Sequence, residues 1–341
     1  MTLLNNILRF MRHEQGDFNQ LACDVFSYQF NHCGPYKRYC QHLHATPETV
    51  THWQDIPSVP TDVFREFDLC TFDPAKSQYI FQTSGTTQES KGKHFYQTMD
   101  LYDEAIRLSF MRGIGLSVTD RISFRILTPS FNEIQTSSLF YMLQRALEWY
   151  GNTDSRFYMH NNQMDYIALK RDLDEDIRQQ RPIALIGTAF SYVNLFDYFT
   201  EEKWQLPLGS VLMETGGLKG KSRTISQEEL YYLFESRLGI SRKDCFSEYG
   251  MTELSSQCYS KRNSYELTCP HWMSFRIINP ETGKDVSMDE TGIVQFFDLA
   301  NLEAISAVTT ADLGVKQNDG FKLLGRAPLA VLRGCSTEFE L

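Results

Sequence analysis

The chain lacks the patterns of a membrane protein, a secreted protein or a nucleic-acid-binding protein. No run of about eighteen apolar residues occurs, which a membrane-spanning helix would need. Arg9, Arg12 and Glu14 interrupt the opening residues before an apolar stretch reaches the length of a signal peptide. The formal net charge of −10 leaves no basic stripe to replace the counterions of a nucleic acid. We therefore predict a cytoplasmic protein with no membrane span and no nucleic-acid partner.

Cysteine spacing argues against disulfides and metal sites, and two familiar motifs, the serine-hydrolase motif and the Walker motif, are missing. The eight cysteines include neither a CxxC pair nor a Cys/His metal spacing, and 341 residues with 42% hydrophobic content can build a core without disulfides. We interpret the cysteines as reduced thiols. No GxSxG motif is present, which argues against a serine hydrolase. Residues 216–222 read GGLKGKS, one residue short of the Walker spacing, and are interpreted as a solvated basic turn.

A hydroxyl-rich segment around a glycine is the strongest positive signal. Residues 83–93 read TSGTTQESKGK and follow the strand-like run 79–81. A glycine lets the backbone approach an anion, hydroxyl and amide groups donate hydrogen bonds to phosphate oxygens, and Lys91 would balance their charge. The segment predicts a phosphate-binding loop. An ordinary solvated Ser/Thr/Gly loop is the alternative interpretation.

Residues 247–253, which read SEYGMTE, form a second candidate nucleotide segment. The ring of Tyr249 can stack on a purine, and the Thr252 hydroxyl can donate a hydrogen bond to a phosphate. The Glu253 carboxylate is an oxygen ligand of the kind that Mg²⁺ prefers. The segment therefore predicts contacts to the base, a phosphate and the metal of a bound nucleotide.

Two further segments complete an ordered set of four. Residues 215–217 (TGG) follow the apolar run 211–213, and residues 309–314 (TTADLG) precede the pair Gly325-Arg326. In order and approximate spacing, the four segments resemble the nucleotide motifs of the adenylate-forming superfamily. The resemblance implies use of ATP and Mg²⁺. It also implies an α/β fold like the N-terminal domain of that superfamily, with parallel sheets flanked by helices and a smaller β-rich lobe.

The resemblance assigns roles to individual residues. Gly216 and Gly217 would lie beside the adenine, and Asp312 would bind the ribose hydroxyls. The expected nucleotide-binding residues are Thr83, Ser84, Gly85, Thr86, Thr87, Gly216, Gly217, Tyr249, Gly250, Asp312 and Arg326. The expected catalytic residues include Lys91 at the pyrophosphate, Thr252 at the α-phosphate and Glu253 as the Mg²⁺ ligand. Gln88 departs from the superfamily pattern, because a glycine is usual there, and glutamine would cost about 1 kcal/mol if φ is positive.

The first seventy residues point to one branch of the superfamily. Residues 26–30 (FSYQF), 35–40 (PYKRYC) and 55–64 (DIPSVPTDVF) resemble the start of the acyl-protein synthetases, the LuxE-like ligases. The resemblance implies that ATP activates a long-chain carboxylic acid as acyl-AMP and that the acyl group then passes to a cysteine thiol. It also implies an acyl-reductase, acyl-transferase or carrier-protein partner.

Cys335 is the expected acyl acceptor. The acyl-protein synthetases carry their acylated cysteine close to the C-terminus, and Cys335 lies in the sequence RGCS near the end of the chain. Arg333 would favour the thiolate, which is the reactive form. The alternative is an unreactive small residue at the end of a strand.

The remaining pattern alternates helix-like and strand-like segments before it becomes β-rich. We predict helices at 98–116, 136–150, 171–180 and 192–199, and strands at 122–127, 183–186, 211–213, 273–278 and 293–298. Such alternation is typical of a parallel sheet with helices on its faces. We expect an N-terminal helical segment at 1–75, an α/β nucleotide-binding body at 76–254 and a β-rich lobe with a tail at 255–341.

Two other functions are consistent with the same motifs. The chain ends where most adenylating enzymes begin a lid domain that supplies a lysine, so we expect that domain to be absent. The second hypothesis is adenylation followed by transfer to coenzyme A or a carrier protein. The third, suggested by Gln88 and the missing final domain, is a non-catalytic partner subunit that kept the fold.

Overall fold

The computed structural model describes residues 2–83, 90–216 and 225–327. The α-helices in these residues are α1 (Leu3–His13), α2 (Phe18–His32), α3 (Gly34–His42), α4 (Asp100–Gly113), α5 (Ser138–Tyr150), α6 (Tyr166–Arg178), α7 (Ala189–Tyr198) and α8 (Gln227–Leu238). The strands are β1 (Val59–Pro60), β2 (Tyr79–Gln82), β3 (Lys93–Tyr96), β4 (Ser123–Ile126), β5 (Arg156–Phe157), β6 (Met159–His160), β7 (Gln163–Met164), β8 (Ile183–Thr188), β9 (Val211–Thr215), β10 (Cys245–Tyr249), β11 (Cys258–Ser260), β12 (Leu267–Thr268), β13 (Met273–Ile278), β14 (Thr291–Asp298), β15 (Ala307–Lys316) and β16 (Phe321–Arg326).

A 12-stranded sheet runs through the structure and changes character at β10. Its order is β13-β14-β15-β16-β12-β11-β10-β9-β8-β4-β5, with β1 beside β15. The strands from β10 to β5 are parallel, whereas β10 pairs with β11 antiparallel and the pairs onward to β13 are also antiparallel. The predicted α/β fold with parallel strands and a β-rich part is confirmed. The boundary predicted after residue 254 stays a prediction, although the β-rich part continues the same sheet.

Helices cover both faces of the parallel strands because β8 is apolar on both. Alternate residues of a strand point to opposite faces. Ala184 and Ile186 of β8 pack in a cluster with α4 and α5, whereas Leu185 packs in a second cluster with α6, α7 and α8. The helices predicted at 98–116, 136–150, 171–180 and 192–199 correspond to α4, α5, α6 and α7. Helix α6 begins five residues earlier than predicted, because Asp165 caps it by accepting a hydrogen bond of 2.9 Å from the Ala168 amide.

The N-terminal helices pack on the antiparallel part of the sheet. The ring of Phe18 meets that of Phe297 edge-on at 6.1 Å between centroids. Gln29 is buried and joins α2 to the segment before β15: its Nε2 donates to the Asn301 carbonyl at 2.9 Å, and its Oε1 accepts from the Ser306 amide at 3.1 Å. None of the helices in the described residues is long and apolar enough to cross a membrane.

A buried ion pair joins β4 to α6. Arg125 donates from Nε and Nη2 to the two carboxylate oxygens of Asp176, at 2.8 and 2.9 Å, and both side chains are almost fully buried. Arg181 adds a second cation to Asp176 at 2.7 Å. Such a pair offsets the cost of removing two charges from water only while both partners are present.

Replacing Asp176 by alanine should therefore leave a buried guanidinium without its carboxylate. We expect Asp176→Ala to lower the free energy of unfolding by about 3–5 kcal/mol, measured by denaturant titration. Arg178→Ala is the matched control, because it breaks an ion pair to Glu175 in which the arginine side chain is 74% exposed. That control should change stability by less than about 1 kcal/mol, and equal losses in the two variants would contradict the prediction.

Candidate active site

The predicted phosphate loop begins and ends on two antiparallel strands. β2 and β3 are in register from Tyr79 opposite Tyr96 to Gln82 opposite Lys93. We call β2, β3 and the segment between them the phosphate hairpin. The Thr83 amide donates to the Gly92 carbonyl at 2.9 Å, and the Gly92 amide donates to Thr83 Oγ1 at 3.0 Å. The predicted contacts Ser84, Gly85, Thr86 and Thr87 lie outside the described residues.

Gly92 lies in a tightly packed position at the base of this hairpin. A Cβ atom on Gly92 would lie 3.0 Å from Thr83 Cγ2 and 3.5 Å from Phe64 Cβ. Lys91, the predicted cation, is exposed beside it. The hydrogen bonds between Thr83 and Gly92 therefore close the two strands at the end where Lys91 lies.

The second segment and the phosphate hairpin are hydrogen-bonded to each other. Thr252 Oγ1 donates to the Gln82 carbonyl at 3.4 Å, and His94 Nδ1 donates to the Thr252 carbonyl at 2.8 Å. His94 is buried and stacks on Tyr96 at 4.3 Å between ring centroids. Burial lowers the pKa of His94 to about 4, so the ring is neutral at pH 7 and Nδ1 carries its proton. No pattern in the sequence pointed to His94, which places Thr252 beside the loop.

Tyr249, Asp312 and Arg326, predicted from three separate segments, lie together. The Tyr249 hydroxyl donates to Asp312 Oδ2 at 2.8 Å. Arg326 is opposite Asp312 in the register of β15 and β16, and its Nε lies 3.9 Å from Asp312 Oδ1. Phe296 and Phe321 pack on the Tyr249 ring at 5.8 and 6.1 Å between centroids. The hydroxyl bond and the ring contacts fix the orientation of Tyr249.

Glu253 and the glycines complete the predicted set. The Glu253 side chain is 8% exposed. Burial raises its pKa to about 7, although Arg326 and Arg65 act in the opposite direction. Gly216 has φ +82°, which ends β9 in a conformation that side chains rarely adopt. Gly217 and Cys335 lie outside the described residues, as does Gln88.

Gly250 leaves room for a buried carboxyl group. A Cβ atom on Gly250 would lie 2.7 Å from Glu248 Oε1. The Thr215 hydroxyl donates to Glu248 Oε2, which joins the ends of the parallel strands β9 and β10. Burial raises the pKa of Glu248 to about 7 and the pKa of Glu214 to about 7 as well. Glu214 Oε1 accepts a hydrogen bond of 3.3 Å from the Tyr231 hydroxyl. The sequence analysis missed both residues, and the signal that could have found them is a glutamate near the end of each strand.

Asp298 holds the chain reversal that follows Glu253. Its carboxylate accepts from the Ser255 amide at 3.0 Å, the Ser256 hydroxyl at 2.8 Å and the Ala300 amide at 3.0 Å. Asn301 adds a bond of 2.8 Å from Nδ2 to the Glu253 carbonyl. Burial raises the pKa of Asp298 to about 6, against the opposing effect of these donors. The position of Glu253 therefore depends on residues that carry no motif.

Comparisons with known proteins match nearly the whole chain to one family. Residues 8–340 match the family model described as "Acyl-protein synthetase, LuxE". A long-chain-fatty-acid–luciferin-component ligase from Vibrio harveyi is 20% identical over 332 residues, which cover 93% of this chain and 86% of the relative. The ligase of the same name from Aliivibrio fischeri is 22% identical over 314 residues, covering 87% and 78% of the two chains.

Solved structures share the fold at low sequence identity. An open conformation of 2-hydroxyisobutyryl-CoA ligase, in complex with 2-HIB-AMP and CoA, has a TM-score of 0.69 and 14% identity over 90% of this chain and 69% of that one. ATP-bound MatB from Rhodopseudomonas palustris has a TM-score of 0.52 and 16% identity over 76% and 50%. A long-chain-fatty-acid-CoA ligase from Archaeoglobus fulgidus has a TM-score of 0.54 and 14% identity over 77% and 54%. This likeness shows the fold of adenylate-forming ligases.

The buried Glu248 carboxyl group should make folding pH-dependent. Its pKa of about 7 in the folded protein exceeds the ordinary value of 4.5, so the folded state holds the proton more tightly than the unfolded chain. This stabilisation is present below about pH 4.5 and is lost as the pH rises through about 7. In Glu248→Gln, the fall in unfolding free energy between about pH 5 and about pH 8 should shrink by up to about 3 kcal/mol.

Denaturant titrations at several pH values measure this effect. Glu281→Gln, in an exposed turn, is the matched control and should keep the wild-type slope. If the unfolding free energy of Glu248→Gln depends on pH as in the wild type, the Glu248 carboxyl group has the same pKa in the folded and the unfolded chain, which would contradict the prediction.

Proposed function

The chain belongs to the LuxE acyl-protein synthetase family, and we propose that it activates a long-chain carboxylic acid with ATP and transfers the acyl group to a protein thiol. The family match over residues 8–340 carries this conclusion. The hydrogen bonds that join Thr252 to the phosphate hairpin and Tyr249 to Asp312 support it, because they bring separate nucleotide motifs to one site.

In the first half-reaction, a carboxylate oxygen of the acid attacks the α-phosphorus of ATP and the bond to pyrophosphate breaks. The protein's task is positioning and charge neutralisation rather than nucleophilic attack. We assign Lys91 and the residues from Thr83 to Thr87 to the pyrophosphate end, and the Thr252 hydroxyl to the α-phosphate. The His94 bond to the Thr252 carbonyl supports this assignment, because it holds Thr252 next to β2.

The sugar and base of ATP would lie on the other side of Thr252. We assign the ribose hydroxyls to Asp312, whose orientation is set by the Tyr249 hydroxyl and by Arg326. Gly216 and Gly217 would lie beside the adenine, where a glycine keeps a side chain from occupying the space of the base. Gly250 stays a proposed nucleotide contact, and the Glu248 carboxyl group occupies the space of its missing Cβ atom.

Glu253 is the proposed Mg²⁺ ligand. No group of three or more His, Cys, Asp or Glu side chains suited to a metal occurs among the residues that the structure describes. Mg²⁺ is commonly bound by one or two carboxylates together with substrate phosphates, so a single glutamate beside the α-phosphate site fits it. Bound Mg²⁺ would neutralise charge on the departing pyrophosphate.

In the second half-reaction, the proposed acceptor is the Cys335 thiolate. The sulfur attacks the acyl carbonyl carbon of acyl-AMP, the bond to the phosphate oxygen breaks and AMP leaves, so a thioester forms on the protein. An acyl-reductase, acyl-transferase or carrier protein would then take the acyl group. Direct transfer to coenzyme A is the second candidate, because a structure with the same fold is a complex with 2-HIB-AMP and CoA.

A panel of carboxylic acids tests adenylation. We expect long-chain fatty acids to drive exchange of labelled pyrophosphate into ATP, because acyl-AMP formation is reversible. Asp312→Asn should raise the KM for ATP by about 10-fold, as expected for loss of a charged hydrogen bond. Asp319→Asn, at an exposed turn, is the control. Absence of exchange with any aliphatic or aromatic acid would contradict adenylation.

Covalent labelling tests the acceptor thiol. With labelled fatty acid and ATP, Cys335→Ala should keep pyrophosphate exchange and lose the protein-bound label, because the first half-reaction does not use the thiol. Cys23→Ala, at a partly exposed cysteine of α2, should keep both activities. Undiminished thioester formation with free coenzyme A in Cys335→Ala would favour the second candidate instead.

A further inference from the structure

Two cysteines that the proposed reaction does not use face each other in the sheet. Tyr259 of β11 is in register with Thr268 of β12, so Cys258, one residue earlier, is opposite Cys269, one residue later. Both side chains are free thiols, and their Sγ atoms are 2.9 Å apart. The sheet therefore holds a facing pair of thiols close to the nucleotide motif.

The position of the pair is compatible with a disulfide. Directly opposite residues of antiparallel strands have Cα atoms about 4.5–5.5 Å apart, which lies inside the range of about 4.4–6.8 Å seen for disulfides. A disulfide bond is about 2.05 Å long, so the two sulfur atoms need to approach by less than about 1 Å. Oxidation therefore keeps the pairing of β11 with β12 and needs only this small shift of the two residues.

The two thiols differ in their access to solvent. Cys269 is partly exposed, whereas Cys258 is fully buried. Burial raises the pKa of Cys258 well above its ordinary value, and the neighbouring Cys269, Glu248 and Asp298 add to the effect. A small oxidant would thus react with Cys269 first, while the neighbouring Cys258 stays a protonated thiol.

We propose that Cys258 and Cys269 form a redox-modification site at which a peroxide generates a cross-strand disulfide that weakens ATP binding. The Cys269 sulfur attacks a peroxide oxygen, the O–O bond breaks, and a sulfenic acid and one water form. The Cys258 sulfur then attacks the sulfenic sulfur, the S–O bond breaks and a second water leaves with the Cys258 proton. Two thiols lose two electrons in total, and hydrogen peroxide is reduced to two waters.

The effect on ATP rests on the proposed function and follows from strand register. Cys258 is directly opposite Tyr249 of β10. Drawing Cys258 towards Cys269 moves the strand that pairs with Tyr249, whose hydroxyl is bonded to Asp312. Because Asp312 is the proposed ribose contact, the disulfide changes the nucleotide site without touching the nucleotide.

Peptide mapping of the full-length protein tests the modification. After treatment with hydrogen peroxide and blocking of free thiols with N-ethylmaleimide, the main oxidised product should be a Cys258–Cys269 linked peptide that dithiothreitol cleaves. Cys269→Ser and Cys258→Ala should lose that peptide, and Cys23→Ser, at another partly exposed cysteine, should keep it. A wild-type protein whose Cys269 becomes sulfinic acid, or pairs with a different cysteine, would overturn the proposal.

Calorimetry with ATP tests the consequence. The Kd for ATP should be several-fold higher in the oxidised protein than in the reduced protein, should recover with dithiothreitol and should be insensitive to peroxide in Cys269→Ser. Equal Kd values in the two forms would overturn the effect on ATP. If neither form binds ATP, the proposed function and this effect both fail, while the peptide map still decides whether the disulfide site exists.

Discussion

The carboxylate of Asp298 is the constraint on which the arrangement of the site depends. The chain must reverse between β10 and β11, and the reversal carries Thr252 and Glu253 through a region with few strand hydrogen bonds of its own. Asp298 accepts from Ser255 and Ser256 within this reversal and from Ala300 in the segment that follows β14. Buried backbone donors need such partners, and a carboxylate can accept several at once. One side chain therefore links the end of the parallel strands to the antiparallel part of the sheet.

Local chemistry made much of the fold and part of the site predictable. The apolar runs at β8 and β9 and the helical spacing of α4 and α5 are properties of short segments, which is why they were visible in the sequence. The motifs around Thr83, Tyr249 and Asp312 were visible for the same reason. Their assigned roles remain predictions, since the comparisons show the family and the fold rather than the contacts of each residue.

Contacts between distant residues were not predictable from one sequence. The bond from Tyr249 to Asp312 spans 63 residues, and the bond from His94 to Thr252 spans 158. Neither pair follows a periodicity or a sequence spacing from which the hydrogen bond could be predicted. Glu214 and Glu248 show a different limit: a glutamate in an apolar strand is unusual, but its hydrogen-bond donor comes from a neighbouring strand or helix. Sequence patterns thus indicated the parts of the proposed site, and the register of the sheet determined which of those parts lie together.

The packing of the N-terminal helices has a consequence for the synthesis of the chain. Gln29 makes its buried contacts with Asn301 and with Ser306, 277 residues later in the chain. At translation rates of about 5–20 residues per second, the interval between synthesis of the first helices and synthesis of the strands that cover them is on the order of 10–60 s. Their apolar faces, which include Phe26 and Phe30, meet water or a chaperone during that time. Truncated chains released before residue 306 would carry this exposed surface and would be prone to aggregate.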